Sequence, residues 1–296
     1  MSRRWAVVLG ATSGTGAAAA KALASSPGLD VFGVHRGNHP DGAADVLTHI
    51  EDAGGRCHWR QADAATHEGV VAGAAEVEEV AGPGSVGVLV HALACGSFGH
   101  LAPGHRDTLR PRQIHRTFDA MAHSFVWWAQ ELAGRGLLAP GARLIGLTNP
   151  IVHDAADGFG LISASKAALA IYVRHLSLEL APQGHRVMLV EFGLVDTPAI
   201  RLAFPGGAWE QVATSIARAT PAGRLCTVEE VATLLSALVG PIGDWFNGAT
   251  IDFTGGQTRF LLDTIFHPEG RDDAPRNGGR NERRGEGSAP GGSGTA

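Results

Sequence analysis

Short, near-continuous apolar runs alternate with longer stretches of helical periodicity along almost the whole chain. Runs at 5–9, 30–34, 57–61, 86–90, 143–147, 187–191 and 250–253 predict strands. They are apolar at consecutive rather than alternate positions, which predicts strands covered on both faces. The 3.6-residue period between them predicts helices over 14–25, 43–53, 68–80, 112–134, 159–180, 207–218 and 228–238. This alternation is the pattern of βαβ units, so the expected architecture is α/β: a single doubly wound parallel sheet of about seven strands flanked by helices. From residue 267 the sequence turns to Gly, Pro, Arg, Asp and Glu with almost no apolar residue. Residues 1–266 are therefore read as one folded domain and 267–296 as a disordered tail.

Composition narrows the class. Hydrophobic residues make up 44% of the 296 and charged residues 18%, enough apolar surface for a full core. The net charge of −5, with no Lys/Arg run in the body, lacks the footprint of nucleic-acid binding. Arg3-Arg4 before the apolar run 5–9 imitates a secretory signal, but the run ends in a glycine-rich turn and the following alanines carry Lys21. No uninterrupted apolar segment approaches the ~18 residues of a membrane span. Cys57, Cys95 and Cys226 are far apart, without metal-ligand spacing, and are read as reduced thiols. The expectation is a soluble cytoplasmic protein with no nucleic acid, no membrane and no metal.

The segment Gly10-Ala11-Thr12-Ser13-Gly14-Thr15-Gly16 follows the first strand and opens the first helix. Gly10 permits a sharp turn, Gly14 lets backbone N–H groups approach a pyrophosphate, and Gly16 lets helix and strand pack closely, the arrangement of a Rossmann-type dinucleotide site. Thr12 and Ser13 join it as candidates. The second strand ends at His35-Arg36, where an acidic residue would bind the ribose hydroxyls of NAD; donors there suit a 2′-phosphate, so NADPH is the expected cofactor. Asp63, just after the third strand, can accept from the adenine amino group.

Further motifs recur in order: Ser165-Lys166-Ala167-Ala168-Leu169, Gly193-Leu194-Val195-Asp196-Thr197-Pro198, Pro221-Ala222-Gly223-Arg224, and Asn247-Gly248 through Asp252-Phe253-Thr254-Gly255-Gly256. With the glycine turn they resemble the short-chain dehydrogenase/reductase family over residues 4–260. Val90-His91-Ala92-Leu93-Ala94 is similar to the His-Ser-Ile-Ala segment of bacterial enoyl-acyl-carrier-protein reductases, which place the active tyrosine seven residues before the lysine instead of four. The resemblance implies cofactor contacts at His91, Lys166 and Thr197, a serine-equivalent at Thr148 or Asn149, a small-molecule or carrier-bound acyl substrate, and a homodimer or homotetramer. Trp127-Trp128 would then pack in the core and at the interface.

The chain departs from that pattern at the tyrosine. Four before Lys166 stands Ile162 and seven before stands Phe159; the single tyrosine, Tyr172, lies six residues beyond, about 240° around the helix. Met121 occupies the family's asparagine position. Lys166 is one of only two lysines, which argues that it is kept for the cofactor. Carbonyl reduction by the family mechanism needs a proton delivered to an alkoxide, whereas conjugate reduction of an α,β-unsaturated thioester tolerates a missing acid. The expected activity is NADPH-dependent enoyl-thioester reduction, with Lys166, Phe159, Thr148, Asn149 and His153 as the catalytic set. A non-redox isomerase or cyclase, and a silent cofactor-binding subunit, stay open as alternatives. His91, His100, His105, His153, Asp154 and Asp157 are expected on loops at the carboxyl ends of strands four and five, with His153 the first choice to replace the acid.

Overall fold

Each apolar run becomes a strand of one parallel sheet. A computed structural model of the protein describes residues 3–204 and 206–257; the tail expected from residue 267 lies outside the described residues. The strands are β1 (Arg4–Leu9), β2 (Leu29–His35), β3 (Cys57–Gln61), β4 (Val86–His91), β5 (Leu138–Thr148), β6 (Arg186–Phe192) and β7 (Thr250–Phe253). Their order is β3-β2-β1-β4-β5-β6-β7, all parallel. The strand order reverses between β1 and β4, which opens a crevice at the carboxyl ends of those two strands.

Helices cover both faces. On one, α1 (Gly14–Ala24), α2 (Pro40–Asp52) and, late in the chain, α9 (Val228–Val239) bury Leu23, Val46, Ile50 and Leu235 against Val8, Val31, Val90 and Ile145. On the other, α3 (His67–Ala81), a helix running 111–134 and α6 (Gly160–Leu180) bury Val77, Trp128 and Leu169 against Val7, Leu89 and Leu144. Consecutive residues of a strand therefore enter opposite cores, which is why the strands read as continuous apolar runs. Trp128 is fully buried and its indole N–H donates to the Ala64 carbonyl at 3.0 Å.

Three departures from the expected elements bear on the site. The helix at 111–134 is α4 (Pro111–Phe118) and α5 (Ser124–Gly134) joined by a π-helical turn, Asp119–His123, that buries Ala120, Met121 and Ala122. Strand β5 starts five residues earlier than its apolar run. Its partners on β4 shift from Val86↔Leu138 to Val88↔Arg143, and Gly141 in the detour has φ +73°. After β6 a short helix, α7 (Pro198–Ala203), precedes α8 (Ala208–Ala219); Thr197 caps it by accepting from Ile200 N–H.

Candidate functional site

The glycine turn builds a cradle at the switch point. Gly10 has φ +84°, and a Cβ there would sit 2.9 Å from the Ala92 carbonyl oxygen. A Cβ on Gly16 would lie closer than 3.0 Å to the carbonyl of Gly10. Gly14 has φ +50° and faces Thr197, whose methyl carbon would be 3.0 Å from a Cβ at 14. The turn after β1 and the loop after β6 thus meet where Gly14 faces the Thr197 side chain. Ser13 precedes α1 but its side chain caps no N–H of the first turn, so those donors remain for an anion. Thr12 is buried beneath, its carbonyl against Gly42 of α2.

The far end of the crevice is a cavity of about 280 Å³ lined by Arg36, Asp63, Thr66, Cys95, Arg116 and Trp127. Arg36 Nη1 lies 3.5 Å from Cys95 Sγ. One Asp63 oxygen accepts from Ala65 N–H at 3.0 Å. His35 Nδ1 accepts from Gly37 N–H, which leaves Nε2–H as its donor; the ring meets Trp59 edge-on, and burial lowers its pKa. A cation that sequence reasoning missed is Arg116, which the folded helix brings to the same cavity as Arg36.

At the reacting end, Lys166 is buried on α6 and donates from Nζ to the Leu147 carbonyl at 2.7 Å; burial pushes its pKa down to about 8. Around it lie Thr148, Asn149 and His91, with Thr148 Oγ1, Asn149 Oδ1 and His91 Nδ1 all buried and without a hydrogen-bond partner among the described residues. Buried polar atoms are nearly always paired, so three such atoms at one sheet end, beside a glycine cradle and a buried lysine, fit a polar group of a bound dinucleotide and its co-substrate. The residues present thus suit the expected cofactor: backbone at Gly10, Gly14 and Gly16 for the pyrophosphate, Arg36 and Asp63 for the adenosine end, Lys166 and Thr197 for the nicotinamide end.

His91 is a correction. It is the last residue of β4 rather than a loop residue, fully buried, with Nε2 2.8 Å from Ser124 Oγ and its ring edge-on to Phe125. Ser124 Oγ itself lies 3.2 Å from the Ala120 carbonyl. Burial, aided by the Lys166 charge, pushes the His91 pKa down to about 3, so it is a neutral support and no acid. The unfolded chain binds a proton here near pH 6.5 that the fold refuses until about pH 3. Stability is therefore complete above pH 6.5 and falls as pH drops toward 3, by up to about 5 kcal/mol. Urea midpoints between pH 7 and 4 are expected to decline, and His91→Asn to flatten that decline.

The two tyrosine positions have distinct surroundings. Ile162 is buried with Met121 and Ala120, and its Cδ1 fills the space where a Cβ on Gly96 would stand. Phe159, at the N-terminus of α6, is half-buried and belongs to an aromatic wall: Phe98 at 5.1 Å, Phe204 at 6.0 Å, and Trp209 6.1 Å beyond Phe204. Tyr172 faces away, in the groove between α5 and α6, 6.1 Å from His123.

His153 stands at the lip of the site with Nε2 2.8 Å from Glu191 Oε2; the imidazole is mostly exposed and the carboxylate buried. Glu191 is at the carboxyl end of β6, in register with Thr148. It was not among the sequence candidates, although a lone acid inside the run Val187–Phe192 is the signal that marks it. Asp154 is exposed on the same loop; Asp157 Oδ1 lies 3.1 Å from His100 Nε2, and the His100 ring stacks on His105. Among the described residues the three cysteines are free, and no helix is long and apolar enough to cross a membrane.

Comparison with known proteins agrees with this geometry. A family profile described as enoyl-(acyl carrier protein) reductase matches residues 10–258. The chain is 30% identical to cis-4-hydroxycyclohexanecarboxylate dehydrogenase of Sinomonas cyclohexanicum, over 87% of this chain and 97% of that one. It is 28% identical to 1-cyclohexenylcarbonyl-CoA reductase of Streptomyces collinus, over 86% of each. Among solved structures, a variant of actinorhodin polyketide ketoreductase with NADPH superposes with a TM-score of 0.74 at 25% identity, over 87% of this chain and 99% of that one.

Proposed function

The chain belongs to the short-chain dehydrogenase/reductase family of nicotinamide-dependent oxidoreductases, and from that premise we propose that it reduces the carbon–carbon double bond of an α,β-unsaturated acyl thioester with NADPH. The observation that carries this reading is the contrast within one site: the cofactor cradle and buried Lys166 are intact, while Phe159 and Ile162 offer no hydroxyl. NADPH, when bound, supplies hydride.

The protein's own part is to hold charge and protons. In a ketone the oxygen that gains charge must be protonated as the alcohol forms, and neither Phe159 nor Ile162 can donate. In conjugate reduction the charge develops on the thioester oxygen, and fixed donors stabilise it without a full proton transfer. Thr148 Oγ–H, buried and unpaired among the described residues, supplies such a donor, and the half-buried Asn149 beside it brings an amide to the same strand end. His153, steadied by Glu191, stands at the lip where a proton for the α-carbon can enter. The wall of Phe98, Phe159, Phe204 and Trp209 suits an apolar acyl group. The cyclohexenylcarbonyl and cyclohexanecarboxylate in the names of the two relatives favour a ring-bearing one. Arg36 and Arg116 around one cavity favour the 2′-phosphate of NADPH. The groove along α5 and α6, with Ile171 and Leu178 exposed beside it, supports assembly as a homodimer or homotetramer.

The test is incubation of the purified protein with NADPH or NADH and a panel of unsaturated thioesters and ketones, read by product mass. The expected product is a thioester heavier by two hydrogens, formed faster with NADPH, with ketones turned over far more slowly. A thioester rearranged without change of mass, with NADPH unspent, would sink the redox reading in favour of an isomerase or cyclase on this scaffold.

A further inference from the structure

Between β4 and α4 the chain makes a compact loop whose ends are tied by its own backbone. His100 N–H donates to the Asp107 carbonyl at 3.3 Å and Leu109 N–H to the His100 carbonyl at 2.9 Å. Gly99 carries φ +147°, and a Cβ there would overlap the Asp107 carbonyl oxygen. Thr108 ties back to the His105 carbonyl through Oγ1 at 2.8 Å. This closure brings three ligand-type side chains together. The His100 and His105 rings lie parallel with centroids 3.8 Å apart, and His100 Nδ1 is 2.6 Å from Asp107 Oδ1. One ligand atom from each of the three lies within 4.8 Å of the others. A fourth group comes from the neighbouring loop: Asp157 Oδ1 is 3.1 Å from His100 Nε2, and Gly99 N–H donates to the Gly158 carbonyl at 2.9 Å.

We propose that His100, His105 and Asp107, with Asp157 holding the other nitrogen of His100, form a binding site for a divalent transition-metal cation of the zinc class, separate from the reacting centre. Two imidazoles with carboxylate oxygens are a ligand set such ions prefer, and a hard ion such as Mg²⁺ would demand more oxygen. Three such side chains and a water at about 2.0–2.2 Å from a tetrahedral ion stand about 3.4 Å apart. The observed spacing therefore asks for small rotations of mostly exposed side chains on a backbone already closed around them. His100 has each ring nitrogen on a different carboxylate; at the site it gives one nitrogen to the ion and keeps a carboxylate on the other, the usual support of a metal-bound imidazole. The ion would fasten the loop carrying Phe98 to the loop carrying Asp157, and so stiffen one side of the aromatic wall.

The test uses the full chain, freed of metal, titrated with Zn²⁺ by calorimetry and with Co²⁺ by visible absorption. One ion per chain is expected, with a dissociation constant of about 1 µM or tighter, and a Co²⁺ spectrum of tetrahedral or five-coordinate type. His105→Ala and Asp107→Asn should each weaken binding at least about 100-fold and Asp157→Asn about tenfold. His49→Ala, on an exposed histidine of α2, should leave the titration unchanged. Circular dichroism of each variant confirms the fold, since the three proposed ligands and Asp157 all lie on loops. Absence of binding at about 100 µM metal, or binding that the three loop variants leave unaltered, overturns the proposal whatever the substrate of the enzyme.

Discussion

Gly16→Ala is expected to weaken NADPH binding at least about 100-fold and to lower stability by about 1–3 kcal/mol. The added Cβ would lie closer than 3.0 Å to both the carbonyl oxygen and carbon of Gly10, and 3.2 Å from Ala92 Cβ. Two of these three neighbours are backbone atoms of the turn that must meet the pyrophosphate, so no side-chain rotation relieves the overlap. Helix α1 has to move off β1, which displaces the N–H groups of its first turn from the cradle. The control is Gly28→Ala. That residue has φ +79° with nothing within 4 Å of an added Cβ, so it stores only backbone strain of about 1–2 kcal/mol and leaves the crevice intact. Calorimetric NADPH titration beside thermal unfolding separates the two. Gly16→Ala with unchanged affinity, or Gly28→Ala losing affinity equally, would mean that the turn is not the cofactor site.

The sheet is legible in the sequence because its strands are buried on both faces and read as uninterrupted apolar runs; β3 and β7 have the bounds their runs predict. Boundaries fail where backbone geometry rather than polarity decides them. The π turn at Asp119–His123 keeps an apolar pattern that a plain helix would also show, and the early start of β5 passes through Pro140 and Gly141, residues that read as a turn. The turn that is proposed for the cofactor is marked in the sequence for a related reason: glycines at a strand-to-helix turn have few other uses, and Lys166 stands out in a chain with two lysines. The substrate end depends on residues far apart in sequence. Phe98, Phe159, Phe204 and Trp209 become a wall only when three loops converge, and Glu191 gains meaning only when His153 is found on it. His91 shows the opposite failure. A histidine after a strand invites a role in chemistry, yet one more residue of pairing carries it into the core, where its charge is suppressed.

The missing hydroxyl gives the second large effect. Lys166→Ala should lower kcat/KM for the unsaturated thioester at least about 100-fold, with the NADPH dissociation constant rising in parallel, because in the proposed reading the one side chain would both meet the cofactor and set the local charge. Removal of Nζ also deletes its hydrogen bond to the Leu147 carbonyl. Phe159→Tyr works in the other direction. Its ring is half-buried at the mouth of the aromatic wall, where one more oxygen can reach water, whereas a tyrosine at Ile162 would collide with Gly96 and Met121. A general acid contributes about 10²–10⁴-fold to proton transfer in such reactions. Phe159→Tyr is therefore expected to raise ketone reduction at least about tenfold while changing thioester reduction by less than about threefold, since only the ketone needs a proton at the oxygen. Steady-state rates for both substrate classes, measured on the wild type, Phe159→Tyr and His153→Ala, locate the proton. A Phe159→Tyr enzyme that gains nothing on ketones, beside a His153→Ala enzyme that loses both activities together, would place the acid at the lip rather than on α6.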